Sequence, residues 1–436
     1  MNVSAVVAVS IFLVTYVAIG MEKVNRTIVS MSGGIILLLV GVLSLKEAVT
    51  RYVHWETVGL LFGMFTIIAV LSEAGFFTYM ALVVAKKLDY NPYRIFLVFP
   101  LVTGFLSAFM DSITVMLFFA TLTYELARLL KFDAIPVVVT EVCLANVGGA
   151  STLVGDPPNV ILGLMLGFSF NDFVIHNGPT AVLAALGSVL VAYLQCRKRL
   201  RLGGTVDRQA LVAMDPAKAI KDARLFKLGL GAFLVAILFL VTHAWMEHTL
   251  HIPMTAPLAP LVPAFFILIL GCSRTEDILR KIDYDVLLFF IGLFVVVGGL
   301  EKTGAIKALA ELIASAFRHQ DLALVSTLMW FSAVSSAIID NVPFALSMAY
   351  VIREIAGQVG VPALSIMVWA VSLGTDIGGN GTPIGASANV VAYAALEKKG
   401  HRIGWPRWMW LAIPQTMAAL AISNLGLALK LWMGFH

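Results

Sequence analysis

Two stretches of this chain carry polar and helix-breaking residues inside otherwise apolar sequence: GGASTLVGDPPN, from Gly148 to Asn159, and GGNGTPIGASAN, from Gly378 to Asn389. Unwound peptide of this composition offers carbonyl oxygens, the hydroxyls of Thr152 and Thr382, and the amides of Asn159 and Asn389 to a small polar ligand. The glycine pairs Gly148–Gly149 and Gly378–Gly379 would let that ligand approach the backbone. Acids accompany the two stretches. Asp111 and Asp340 sit in the polar tips MDSIT and IDNVP, Asp376 precedes the second stretch, and Glu141 lies on the run leading into the first. A carboxylate at membrane depth costs roughly 3 kcal/mol or more, so an ionised one needs a partner or a task. The chemistry is therefore oxygen coordination of a proton, a cation or an oxyacid, with Asp111, Asp340, Asp376 and Glu141 as proton-coupling candidates. Ser112, Thr114, Asn146 and Asn341 complete the ligand set. Helix capping is the simpler task for Asp111 and Asp340, and more readily so for Asp156, which precedes Pro157, has no acid as its repeat partner and stays outside the set. Cys143 reads as a small core residue.

The elements that must position these residues are membrane helices. Of 436 residues, 60% are hydrophobic and 13% charged, and the mean hydropathy is +0.92. Soluble domains sit near half apolar and a quarter charged. Long apolar runs between short charged connectors fit a polytopic helical bundle, not the short alternating strands of a barrel. The first run has no basic leader or small-residue cleavage site, so it is expected to be a retained helix. Cys143, Cys196 and Cys272 form no metal or disulfide spacing, and the eight histidines form no HExxH pattern. No His–acid, Ser–Lys or metal-ligand cluster falls in the apolar runs, so an enzyme is not expected. Nothing points to a nucleic-acid partner.

The chain is duplicated. A shift of 229 residues places Gly63, Gly75 and Asp111 on Gly292, Gly304 and Asp340. After one inserted residue, Gly148, Thr152, Gly155 and Asn159 fall on Gly378, Thr382, Gly385 and Asn389. Asp156 falls on Ala386, Asn146 on Asp376 and Glu141 on Val371. The halves are 1–200 and 225–436, joined by a basic linker at 201–224. In the first, apolar helices are expected near 3–20, 27–45 and 55–72, with an interfacial helix at 76–90. A hairpin at 92–130 follows, then a helix broken within 134–168 and a last span near 178–196. The second half repeats this with a hairpin at 320–357 and a broken helix at 361–396. The hairpin arms at 95–109 and 115–127 make about 20 Å of helix against a hydrocarbon core of about 30 Å, so the hairpin is expected to be re-entrant. Five spans per half, one of them broken, turn the second half upside down. With the linker in the cytoplasm, 23 of the 30 lysines and arginines fall on that side, as the positive-inside rule requires. The fold expected is an all-α polytopic membrane protein of two inverted repeats, whose four unwound segments meet near the midplane.

At these residues the chain resembles the ion transporter superfamily. GGASTLVGDPPNVILG and LGTDIGGNGTPIGASANVVAYAALEKKG are similar to the paired signatures of its arsenite-efflux permease and P-protein branch, distant kin of the divalent anion–sodium symporters. The resemblance implies a scaffold domain that forms a homodimer, a transport domain holding hairpins and broken helices, and elevator-type alternating access. It departs from sodium–dicarboxylate symporters at the hairpin tips, where DSIT (Asp111–Thr114) and DNVP (Asp340–Pro343) stand in place of Ser-Asn-Thr motifs. No lysine or arginine lies within the tips or breaks.

The function expected is a proton-coupled secondary transporter of a small inorganic ion or oxyacid in the plasma (inner) membrane, with arsenite or antimonite efflux first. The alternative is a sodium/proton antiporter or a sodium-coupled carboxylate or anion transporter of the same fold. Apart from H+ or Na+ as coupling ion, no cofactor is expected. The basic linker suits anionic lipid, with docking of a soluble ATPase subunit left open.

Overall fold

The computed structural model describes residues 3–21, 23–200, 215–270, 275–316, 321–359, 362–398 and 403–434. Linker residues 201–214, Cys272, Arg274, Lys399, Arg402 and positions 320 and 361 lie outside them. Among the described residues all regular structure is helical. The first part of the chain forms α1 (Val3–Gly20), α2 (Arg26–Leu39), α3 (Leu45–Glu47), α4 (Trp55–Ala74), α5 (Phe76–Lys87), α6 (Pro92–Ser107), α7 (Ser112–Leu130), α8 (Ala134–Gly149), α9 (Pro157–Leu166), α10 (Phe170–His176) and α11 (Gly178–Cys196). The second part forms α12 (Ala223–Leu250), α13 (Leu258–Leu270), α14 (Thr275–Leu279), α15 (Tyr284–Lys302), α16 (Ala305–Ala316), α17 (Asp321–Ser336), α18 (Asn341–Val359), α19 (Pro362–Gly378), α20 (Ser387–Lys398) and α21 (Gly404–Met433). Seven of these helices are long and apolar enough to cross a membrane, and the pair α9–α10, bent by 113°, makes an eighth when counted as one broken span.

Local sequence explains where the helices stop. α2 ends at Leu39 instead of running to 45, because Gly41 turns left-handed (φ +74°) and Ser44 opens a new capping box with Glu47. α4 and α15 are each followed by a left-handed glycine, Gly75 (φ +87°) and Gly304 (φ +76°), at positions the 229-residue shift pairs. The second arm of the first hairpin, expected at 115–127, is longer than expected: α7 has 19 residues, and so has its counterpart α18. The charged residues near 125–128 do not end α7, because Glu125 and Arg128 pair at 3.0 Å along one face and carry the helix to a left-handed cap at Lys131. At about 28 Å, α7 is long enough to span the hydrocarbon.

The helices pack as two groups. One contains α1, α2, α4, α12, α13 and α15; the other contains α6 to α9, α11 and α17 to α21. α5 packs on both α4 and α7, and α16 on both α15 and α18, so these two helices bridge the groups. α8 is buried along nearly its whole length, wrapped by α6, α7, α11, α20 and α21.

Candidate substrate and ion site

Both chain breaks are closed by the same bonds. α8 stops at Gly149 and α9 starts at Pro157; α19 stops at Gly378 and α20 starts at Ser387. The Thr152 hydroxyl donates to the Ala108 carbonyl at the tip between α6 and α7. Likewise, the Thr382 hydroxyl donates to the Ala337 carbonyl at the tip between α17 and α18, at 2.6 Å. Asn159 Nδ2 donates to the carbonyls of Gly149 (2.9 Å) and Thr152 (3.1 Å). Asn389 Nδ2 donates to those of Gly379 (2.9 Å) and Thr382 (2.8 Å). Each asparagine therefore ties the start of the second half-helix across the unwound segment, satisfying carbonyls that no helix serves.

The glycines are packed against backbone. A Cβ on Gly148 would overlap the Gly104 backbone, and one on Gly378 the Ala333 backbone. Expected to admit a ligand, Gly148 and Gly378 instead let α8 cross α6 and α19 cross α17 at close range. Gly149 lies against Asp156 and Gly379 against Ala386, inside the folded-back breaks.

The acids divide. Asp111 caps α7, accepting from Thr114 N (2.9 Å) and Thr114 Oγ1 (3.0 Å), and it also lines a cavity of about 260 Å³. Asp340 accepts from Val342 N at 3.0 Å and lines a neighbouring cavity of about 420 Å³. Asp156 makes no cap bond, which overturns its reading as the cap of α9. It is buried, and its two oxygens accept from Ser112 Oγ (2.9 Å) and Asn341 Nδ2 (3.0 Å), one donor from each hairpin. Asp376 is fully buried with neither oxygen in a hydrogen bond of good geometry, and the Asp156 carboxyl and the Asn159 amide are its polar neighbours. Asn146, the counterpart of Asp376, instead donates to Asn380 Oδ1 (2.8 Å) and Asn389 Oδ1 (2.9 Å), crossing from one break to the other. Glu141 lies away from both tips: Oε1 accepts from Thr123 on α7 at 2.5 Å and Oε2 has no partner. Cys143 is buried, and its carbonyl accepts from Asn380 Nδ2 at 3.1 Å.

The structure thus gathers Asp111, Ser112, Asp156, Asp340, Asn341 and Asp376 around the two hairpin tips, with Asn146, Asn159 and Asn389 behind them. Sequence reasoning missed two members. Asp156 carried a signal, an acid with no counterpart across the repeat. Arg26 carried none, because it was counted as a connector charge. Its Nη1 donates to Asp340 Oδ2 (3.1 Å) and Ser387 Oγ (2.5 Å), which brings a cation to tips that hold none in sequence. Among the described residues no group of three or more His, Cys, Asp or Glu is placed to hold a metal.

Ion pairs outside the tips join Glu73 to Lys281, Asp133 to Arg407 at 2.8 Å, and Glu47 to Lys302 at 2.8 Å. The Lys302 ammonium and the Ser44 hydroxyl and amide hold the Glu47 carboxyl down at about 2.

Comparison with known proteins places the fold. Residues 16–374 match the family model CitMHS, described as citrate transporter. An uncharacterized transporter of Mycobacterium tuberculosis is 34% identical over 440 residues, covering 99% of this chain and 100% of its own. The P protein of Mus musculus is 28% identical over 492 residues, covering 95% of this chain and 59% of the mouse protein. The crystal structure of the YdaH transporter of Alcanivorax borkumensis shares the fold, with a TM-score of 0.62 at 13% identity over 100% of this chain and 99% of that one. The resemblance to P proteins is borne out, and the family matched is that of citrate transporters.

Proposed function

The chain belongs to the CitMHS citrate transporter family of the ion transporter superfamily, and from that premise we propose that it is a proton-coupled secondary transporter of a small oxyacid or carboxylate. One observation carries the coupling. Asp156 and Asp376 are buried neighbours with no cation bonded to either: the first accepts from the neutral Ser112 and Asn341, and the second has only the neutral Asn159 amide beside it. Two ionised carboxylates cannot share such a site without a counter-charge. A proton, or Na+ in its place, therefore enters with or against the cargo, and the cargo's hydroxyl or carboxylate oxygens meet the same tips.

The alternating-access step in this reading is an elevator: the group holding both tips and both breaks slides against the group built on α2, α4 and α15, with α5 and α16 as connecting arms. The matched bonds at the two breaks support two inverted repeats, 1–200 and 225–436, with tips that enter from opposite faces. A homodimer in the plasma (inner) membrane completes the reading.

Two cargo classes remain. A carboxylate is favoured by the family matched and by Arg26 at the second tip. Neutral arsenous or antimonous acid is favoured by the excess of acids around that one arginine. The test is uptake or efflux in proteoliposomes under an imposed pH gradient, with citrate, arsenite and antimonite as cargo, with and without Na+. Uphill movement that follows the proton gradient supports the reading. Movement that follows only Na+ replaces the proton, and downhill flux indifferent to both gradients sinks coupled transport.

A further inference from the structure

Arg26 begins α2, in one helix group, yet its bonds to Asp340 and Ser387 reach into the other. Its Cζ lies 5.1 Å over the Phe289 ring of α15, which holds the guanidinium on its own group. The pairs Glu73–Lys281 and Glu47–Lys302 stay within that group, and Asp133–Arg407 stays within the other. Any sliding of the groups must break the Arg26–Asp340 contact. Arg26 and Ser387 also line both cavities, so the pair stands where the two meet. The Arg26 side chain keeps 31% of its surface exposed against 13% for Asp340, and both of its bonds use Nη1. A guanidinium presents five donors in a planar fork, so a free carboxylate can meet its open edge with two bonds where Asp340 makes one.

Resting on the transporter reading above, we propose that Arg26 is a specificity-determining anion receptor: a carboxylate of the incoming substrate takes its guanidinium from Asp340, and in doing so releases an ion pair between the two helix groups, which leaves neutral bonds such as those of Tyr16 to Pro343 and Ser347 to hold them. Asp340 stays in place as the cap of α18 but loses its cation. The charged groups then facing it are Lys23 and Asp283, lining the same cavity, and Asp156 at the first break, with the Tyr16 hydroxyl of α1 also in reach. Two acids against one lysine leave a negative excess, which a proton or Na+ arriving with the anion removes. Anion binding and cation uptake become one event.

The test uses the full-length protein in detergent, with citrate as the carboxylate probe and arsenous acid as the neutral one, titrated calorimetrically at pH 6 and pH 8. R26Q is expected to weaken citrate by about tenfold or more, the scale of a lost charge-assisted bidentate contact, while arsenous acid changes by less than about twofold. D340N removes the competitor, so citrate is expected to bind about threefold tighter or more and with less dependence on pH. R26K keeps the charge without the fork and falls between, and it serves if R26Q does not fold. Citrate affinity unchanged in both R26Q and R26K overturns the receptor role while the transporter reading stands, as does a wild-type protein that binds arsenous acid and not citrate. A wild-type protein that binds neither probe and moves neither under a proton gradient ends both.

Discussion

The two chain breaks share their carpentry and differ in their charge. At each, a threonine hydroxyl reaches the carbonyl of the nearer hairpin tip, an asparagine amide bridges two carbonyls, and a glycine lets the helix cross its neighbour at backbone distance. Yet the first break ends in Asp156, bound by both hairpins, where the second has Ala386. The second is approached by Asp376, unbonded, where the first has Asn146 bonded across the midline. Among the described residues, only the tip beside the second break receives an arginine. Keeping an unwound segment intact inside a membrane makes the same demand on both halves, whereas one cargo and one coupling ion need their charges only once.

The sharpest test of that asymmetry removes one acid at a time. D156N and D376N each take away a carboxylate while keeping its shape. Each is expected to lower proton-driven transport in proteoliposomes by more than about tenfold, within the range of about 1–3 kcal/mol typical of linked binding equilibria. D111N, which loses a cap, is expected to act mainly on stability. Uphill transport at wild-type rates in both D156N and D376N would place the coupling site elsewhere.

A second test probes the shared carpentry. G148A and G378A each drive a methyl into the backbone of a crossing helix, at Gly104 and Ala333. Overpacking of this kind costs about 1–3 kcal/mol and more where backbone must move. Both variants are expected to lower thermal stability, and by similar amounts. A large loss for one and none for the other breaks the equivalence of the two breaks.

Much of this was legible in the sequence because membrane depth penalises polar and unwound residues, so their presence is informative wherever apolar runs surround them. That logic located both breaks, both tips and the pairing Thr152–Thr382 and Asn159–Asn389. It misjudged what the residues do. Gly148 and Gly378 face backbone, and the hydroxyls of Thr152 and Thr382 are already donated within the protein, because closing a break consumes the same groups that a ligand would use. Asp156 was set aside as a cap, since an acid before a proline looks alike whether or not its side chain turns back to the helix. Arg26 was invisible for a different reason. It lies 314 residues from Asp340, and no local pattern reports a contact made by the packing of two helix groups. The arm expected at 115–127 is shorter than α7, because the pairing of Glu125 with Arg128 on one face lets the helix run on to Leu130.

A third test compares the bridging amides directly. N159A and N389A each strand two carbonyls, at about 1–3 kcal/mol for buried groups left unsatisfied. Asn159 also accepts from Ser372 Oγ at 2.6 Å, and Asn389 accepts from Asn146 at 2.9 Å, so each loss reaches the other half of the chain. Comparable drops in melting temperature are expected. A drop confined to N389A would mean that the Asn146 contact, not the bridge, is what matters at the second break.

The smallest effect expected is at Cys143, and it bears on what the site coordinates. The thiol is buried on α8, one helical turn from Asn146, while the carbonyl of the same residue accepts the Asn380 amide. Replacing sulfur by hydrogen in C143A leaves that backbone bond intact and removes a small volume, at under about 2 kcal/mol of stability. If oxygens bind the cargo, transport of citrate or arsenite should stay within about twofold of wild type, since the carbonyl that joins Cys143 to the break is retained and the thiol's own partner, Thr416, lies outside the tips and breaks. Loss of arsenite transport alone, in a C143A protein that still moves citrate, would assign the metalloid to sulfur and separate the two cargo classes by chemistry instead of by charge.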